Sequence, residues 1–227
     1  MLSGRTTLVG LIGNPVEHSL SPAMHNAAFA ARGLDWAYVP LLVQDGRVED
    51  AVRGLVALGF AGANVTAPHK AAAAAACETE LGSVNVLLVR DGRVEGLSTD
   101  AAILDGLHAE RPVILGSGGA AGAFRAALPG ARVFSRRGDW PPDVGGAGLV
   151  VHATSERDEV LFRLEPGQTL VELPYPDSAT AIAAREAGAT VVGGLEVLVA
   201  QGAASFELWT GLPAPVEVMR AAVDLPT

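Results

Sequence analysis

The chain is short of several features that would each announce a class of protein. It has one cysteine, Cys77, among 227 residues, so no internal disulfide can form and a reducing compartment, the cytoplasm, is expected. It has no run of about 18 unbroken apolar residues, so no membrane-spanning helix is expected. The opening MLSGRTTLVGLIGNP lacks a basic start leading into a long apolar run, and no signal peptide is expected. Basic residues are few, 16 Lys and Arg against 25 Asp and Glu, giving a net charge of −9. They are scattered rather than gathered into the stripe that neutralises phosphates, so no nucleic-acid partner is expected. The five histidines, His18, His25, His69, His108 and His152, lie far apart with no Cys or carboxylate at ligand spacing. His18 and His25 can share a helix face, but no metal site is expected. Internal repeats and low-complexity linkers are also missing, and the alanine run at 71–76 is simply good helix former.

What is present is a core-forming composition, 49% hydrophobic and 18% charged, long enough for one large domain or two small ones. Short apolar runs alternate with helical stretches, the rhythm of an α/β fold with βαβ units. Residues 8–12 read as a strand broken by Gly13-Asn14-Pro15. Ser21-Pro22 reads as a helix start, serine as N-cap and proline at the first position, with the helix ending near Arg32-Gly33. Residues 37–43 form a second strand and 49–58 a second helix. A short strand ends at 64–66, and Pro68 leads into the alanine-rich helix. Residues 84–89 and 94–97 form a hairpin turning at Asp91-Gly92. After Ala101 the rhythm restarts. Strands are expected at 112–115, 132–134, 148–152, 169–173 and 190–192, with a helix at 179–187. A surface loop covers 138–148, and two amphipathic helices close the chain.

Three constellations carry chemistry. Gly116-Ser117-Gly118-Gly119-Ala120 follows a strand and opens a helix. Missing side chains let backbone N–H groups and the helix dipole reach a pyrophosphate. About 20 positions on, the next strand ends in Ser135-Arg136-Arg137. An acid there suits the ribose hydroxyls of NAD, whereas arginine suits the extra phosphate of NADP. NADP is therefore the expected cofactor, with NAD possible.

The second constellation is NVTAPHK at 64–70 with STD at 98–100. Oxidising a hydroxyl requires a group that takes its proton as hydride leaves, and a lysine of lowered pKa with a carboxylate beside it can do so. Taken alone, Lys70 reads as a surface charge and Asp100 as the N-cap of a helix from Ala101. The third constellation is HSLSP at 18–22. Ser19 and Ser21 can hydrogen-bond a carboxylate or ring hydroxyls, or Ser21 can simply cap.

Taken in order, the blocks GNPVEHSLSPAMHN, GANVTAPHK, GSVN, STD, VILGSGGAA, SRR and GLEVLVAQGAASFELWTG resemble the shikimate dehydrogenase family, the shikimate and quinate dehydrogenases. The resemblance implies an N-terminal α/β substrate domain plus a Rossmann-like NADP-binding domain, with the active site in the cleft between them. The substrate-binding and catalytic domain would comprise 1–101 with 194–227, and the cofactor domain 102–193. It implies Lys70 and Asp100 as the catalytic pair, and Ser19, Ser21, Thr66, Asn85, Tyr175 and Gln201 as substrate contacts. Gly116, Ser117, Gly118, Gly119 and Ala120 would hold the pyrophosphate, and Ser135, Arg136 and Arg137 the ribose phosphate. Thr154, Leu173 and Gly194 would line the rest of the cofactor site.

The implied reaction is reversible NADPH-dependent reduction of 3-dehydroshikimate to shikimate, a step towards chorismate and the aromatic amino acids, by a monomer or homodimer. A quinate or aminoshikimate dehydrogenase, or a non-catalytic metabolite- or nucleotide-binding homologue, is the alternative. Against the family pattern, Ser98 and Ser135 replace asparagines, Val197 a methionine and Glu196 a small residue. A carboxylate at Glu196 is expected to repel cofactor phosphate or alter domain closure. The segments between Lys70 and Asn85 and between Gly119 and Arg136 are shorter than the family's.

Overall fold

The computed structural model describes residues 2–108 and 110–224. The chain divides into two compact units, Met1–Thr99 with Val199–Thr227, and Asp100–Leu198.

The first unit begins with β1 (Thr7–Gly13), α1 (Ser21–Ala31), β2 (Trp36–Leu42), α2 (Val48–Ala57), β3 (Gly62–Val65) and α3 (Lys70–Ala75). The hairpin β4 (Val86–Arg90) and β5 (Arg93–Leu97) follows. Its two turn residues, Asp91 and Gly92, have φ of 51° and 75°, the left-handed pair that a tight hairpin turn requires. The five strands pair in the order β2-β1-β3-β4-β5, parallel from β2 to β3 and antiparallel beyond.

Alternation along the strands assigns the two faces of this sheet. Leu8, Ile12, Val39 and Leu41 pack in one cluster with Val48, Val52 and Leu55 of α2. The intervening Trp36 and Tyr38 stack instead on α1, through Phe29 and His25.

The second unit opens with a single 3-10 turn at Ala102–Leu104, then β6 (Val113–Leu115), α4 (Gly119–Ala127), β7 (Arg132–Phe134) and β8 (Leu149–His152). It continues with β9 (Thr169–Glu172), α5 (Ala179–Glu186) and β10 (Thr190–Val192). All five strands are parallel, in the order β10-β9-β8-β6-β7. Val113 and Leu115 face the cluster of Val150, Leu170 and α5, while Ile114 faces Phe124 of α4. All three β6 residues are fully buried, and at about 1.5–3 kcal/mol per side chain this burial holds so short a strand. The fold is α/β, and the second unit is Rossmann-like, as expected.

Helix α6 (Gly194–Thr210) begins in the second unit and ends in the first, where α7 (Val216–Ala221) follows. Three local expectations are corrected. Ser21 does not cap α1. Leu20 holds that position with helical φ and ψ, so Ser21 is already in the helix. Asp100 does not cap a helix from Ala101, because only the 3-10 turn forms there and Ala101 precedes it with no side-chain bond. Helix α6 is not amphipathic, since Glu207 is its one exposed residue. Its apolar and small residues continue around the whole circumference, and buried and half-buried positions alternate along it.

Candidate functional site

In the first unit the strand register gathers four of the six expected substrate residues, Ser19, Ser21, Thr66 and Asn85, on one edge of the sheet, while Tyr175 lies in the second unit and Gln201 on α6. Ile12 pairs with Val65, so the segments leaving β1 and β3 emerge together, and Thr66 N–H donates to Ile12 O at 2.8 Å. The β1 exit carries Ser19 and Ser21, where Ser21 N–H donates to Ser19 Oγ at 3.2 Å. The β3 exit carries Thr66 and then Lys70, the half-buried first residue of α3. Since β4 runs the other way, its start lies at the same edge. Val65 N–H donates to Asn85 O at 2.9 Å, and Val84 N–H to Lys70 O at 3.2 Å. Strand β5 delivers Thr99 and, next in the chain, the buried Asp100.

Behind this edge lies a buried polar network. Asn85 Oδ1 accepts from Thr99 N–H at 2.7 Å, and its Nδ2 donates to Thr99 Oγ1 at 3.0 Å and Gln201 Oε1 at 3.3 Å. Asn64 Nδ2 donates to Ser205 Oγ and to Asn85 O, each at 3.0 Å, and Tyr38 Oη donates to Asn64 Oδ1 at 2.9 Å. Ser205 Oγ is 3.2 Å from Thr99 Oγ1 and donates to Gln201 O at 2.8 Å. The residues named from sequence, Asn85 and Gln201, are thereby joined. Tyr38 and Ser205 were missed. Tyr38 lies in an apolar strand, and Ser205 is 141 positions from its partner Asn64.

Beside the network, His25 is fully buried and stacks on Tyr38 with ring centroids 4.5 Å apart. Both its ring nitrogens lack a hydrogen-bond partner, and burial lowers its pKa to about 3. His69 is fixed by Val43 O, 2.7 Å from its Nε2. Among the described residues no group of three His, Cys, Asp or Glu side chains is placed to hold a metal.

In the second unit the order runs outwards from β6 in both directions, and ligands of such sheets bind beyond the carboxyl ends of the strands at this switch point. Leu115 pairs with Phe134 and with His152, and His152 with Glu172. Gly116, Ser135, Ala153 and Leu173 therefore leave the sheet side by side. A cavity of about 880 Å³ opens there, lined by Gly116, Ser117, Gly118, Ser135, Arg136, Arg137 and Thr154 of the expected cofactor set. Trp140, Glu156, Arg157 and Asp158 also line it, none of them anticipated.

A dinucleotide phosphate fits this wall. Gly116 has φ of 129°, and a Cβ there would stand 2.6 Å from Ala153 O, so only glycine can pass. A Cβ on Gly118 would meet nothing within 4 Å, which leaves the start of α4 open to a ligand. Gly119 and Ala120 form the first turn of α4 rather than the cavity wall. Thr154 also borders a second cavity, about 340 Å³, with Leu173, Pro174 and Tyr175. Gly194 is required by packing, since a Cβ there would come within 2.2 Å of Pro174 O.

One feature of this unit, the His152 pair, was not read from sequence, while Glu196, expected to stand against cofactor phosphate, is absent from the cavity lining. Fully buried His152 places Nε2 2.7 Å from Thr154 Oγ1 and Nδ1 3.5 Å from Oε1 of fully buried Glu172. Glu196 turns back to accept from Gly193 N–H at 2.6 Å, so its charge lies on the start of α6, where it is favourable. Val197 is buried against Ile114, Val151 and Val171.

Family models match the two ends of the chain. Residues 11–87 match the shikimate dehydrogenase substrate binding domain, and 194–223 the shikimate 5′-dehydrogenase C-terminal domain. A shikimate dehydrogenase (NADP(+)) of Anaeromyxobacter sp. (strain Fw109-5) is 40% identical, with 100% of this chain and 99% of that one covered. The chain belongs to the shikimate dehydrogenase family. That alignment spans 275 positions against 227 residues here, so the relative carries segments that this family member lacks.

The shikimate dehydrogenase of Aquifex aeolicus superposes with a TM-score of 0.90 at 29% identity, covering 99% of this chain and 100% of that one. The Thermus thermophilus enzyme in complex with NADP(H) and shikimate superposes with a TM-score of 0.83 at 28% identity, covering 96% and 98%. No helix among the described residues is long and apolar enough to cross a membrane.

Proposed function

We propose that the protein interconverts 3-dehydroshikimate and shikimate with NADP(H), on the route to chorismate and the aromatic amino acids. The observation that carries this reading is the single sheet edge that collects Ser19, Ser21, Thr66, Lys70, Asn85 and Thr99. The names of the relatives supply the substrate and cofactor. Residues 1–101 with 194–227 form the substrate-binding and catalytic domain, and 102–193 the NADP domain.

When bound, the cofactor supplies or accepts the hydride. Lys70 takes the proton from the alcohol oxygen as it becomes a ketone and returns it in the other direction. Asp100 orients the lysine amine and shares the proton relay. The Ser19 and Ser21 hydroxyls hold the substrate carboxylate, and Thr66, Asn85, Gln201 and Tyr175 its ring hydroxyls. The Asn85 amide is turned by its bonds to Thr99 before any substrate arrives, so little ordering remains to be done on binding. Gly116, Ser117, Gly118 and the first turn of α4, Gly119 and Ala120, hold the pyrophosphate. Ser135, Arg136 and Arg137 hold the ribose phosphate, while Thr154, Leu173 and Gly194 line the remainder. The protein works in the cytoplasm as a monomer or homodimer.

The test is steady-state turnover, followed by absorbance of the reduced nicotinamide, with shikimate and quinate against NADP and NAD. The highest kcat/KM is expected for shikimate with NADP. A quinate rate above the shikimate rate would overturn the substrate, and no reduction with either would overturn the enzyme.

A further inference from the structure

We propose that Glu156 and Glu159 set the discrimination between phosphorylated and unphosphorylated cofactor, by occupying the arginine that a ribose 2′-phosphate needs. The inference rests on the reading of the larger cavity as a nicotinamide dinucleotide site.

Arg136 is already engaged. Its Nη2 lies 3.0 Å from Glu159 Oε2 and 3.4 Å from Glu156 Oε2, and its guanidinium stands 5.6 Å from the centroid of the Trp140 ring. The two acids are held differently. Glu156 Oε1 accepts from the N–H groups of Arg157 at 3.0 Å and Asp158 at 3.1 Å. These bonds, that from Asp158 first, keep its carboxyl below the ordinary range and fix its charge at the cavity wall. The Glu159 carboxylate, in contrast, bonds Arg136 alone among the described residues, with a side chain 68% exposed. It is a counter-ion that can be displaced, whereas Glu156 is a fixed negative boundary.

The charges explain the consequence. Arg136, Arg137 and Arg157 line the cavity together with Glu156 and Asp158, and Glu159 adds a third carboxylate at its rim. A 2′-phosphate that takes the same Nη2 must displace Glu159 from it and then sit against Glu156. A ribose lacking that phosphate meets no such competition, because its hydroxyls can donate to the same carboxylates. The acids thus weaken the phosphorylated cofactor alone, and preference for it is narrower than the arginines would give.

The test uses two adenosine fragments, 2′,5′-ADP and 5′-AMP, titrated calorimetrically into the full chain at low salt. Glu159→Gln is expected to tighten 2′,5′-ADP about 3-fold, the order of one exposed ion pair. Adding Glu156→Gln should raise this to about 10-fold, and both gains should shrink as salt screens them. Affinity for 5′-AMP should change less than about 2-fold, since no phosphate competes there. In an Arg136→Gln background the gain from Glu159→Gln should vanish, because coupling needs both partners.

Unchanged or weaker binding of 2′,5′-ADP to Glu159→Gln would overturn the proposal. So would equal tightening of both fragments, or an undiminished gain without Arg136. The fragments report binding alone, so a chain that shows these shifts but never turns over shikimate loses the dehydrogenase reading and keeps this one.

Discussion

The two units use similar five-stranded α/β frames to present opposite kinds of recognition surface. In the first, the working edge is backed by side chains bonded to side chains, Tyr38 to Asn64 to Ser205 and Asn85 to Thr99, buried away from water, with the half-buried Gln201 at their margin. In the second, the working edge is bare backbone at Gly116 and Gly118, rimmed by exposed ion pairs. A buried network is costly to alter, because removing one member strands its partner. An exposed ion pair is worth at most about 1 kcal/mol. On the proposed reading, substrate recognition is therefore the rigid half of this protein, and cofactor recognition the half that small changes can retune.

The comparison can be broken most forcefully at Lys70. Lys70→Ala is expected to lower kcat by about 100-fold or more, the usual order for losing a general acid–base group, with substrate affinity nearly unchanged. Equal losses in kcat and in shikimate affinity would assign Lys70 to binding instead. Gly116→Ala should do the reverse. A methyl group forced against Ala153 O at a left-handed φ should cost about 3 kcal/mol of stability and abolish dinucleotide binding, while shikimate still binds in titration calorimetry. Loss of shikimate binding as well would show that the units are not independent in recognition.

Asn85→Leu leaves the Thr99 N–H without its acceptor, at a cost of about 2 kcal/mol by urea unfolding. A loss below a few tenths would mean that the network is dispensable. The mildest probe is pH. His25 is neutral in the folded protein, with its pKa lowered to about 3 by burial, but titrates near 6.5 when unfolded. The unfolded chain then binds the extra proton, so this contribution is complete above pH 6.5 and falls by about 1.4 kcal/mol per unit below it. Comparing unfolding at pH 6 and 5 with His25→Phe should show the slope reduced by that amount in the variant.

Much of this was legible in the residues themselves. The glycine turn, the Asp91-Gly92 hairpin and the alternating strands are local, so their physics is written in adjacent positions. The corrected caps were also local, yet failed, because capping depends on backbone angles rather than on residue type. Leu20 already has helical angles, which leaves Ser21 inside α1. Helix α6 misled for another reason. Its sequence has polar positions, Gln201 and Ser205, that are turned into the protein by the network rather than out to water. Arg136 was read correctly as a cation at the end of β7, but its two glutamates are 20 and 23 positions away, and nothing in their own spacing marks them as its partners.

Trp209 Nε1 donates to Leu87 O at 3.1 Å, across a gap that exists because residue 62 is glycine. With Phe206 stacked on Phe29, it means that the sheet begun by Thr7 is completed only by residues beyond Val199. During synthesis the continuous second unit is therefore finished on the ribosome first. The strands and helices before Thr99 must wait, with α1 alone on one apolar face, until the segment from Val199 onwards emerges.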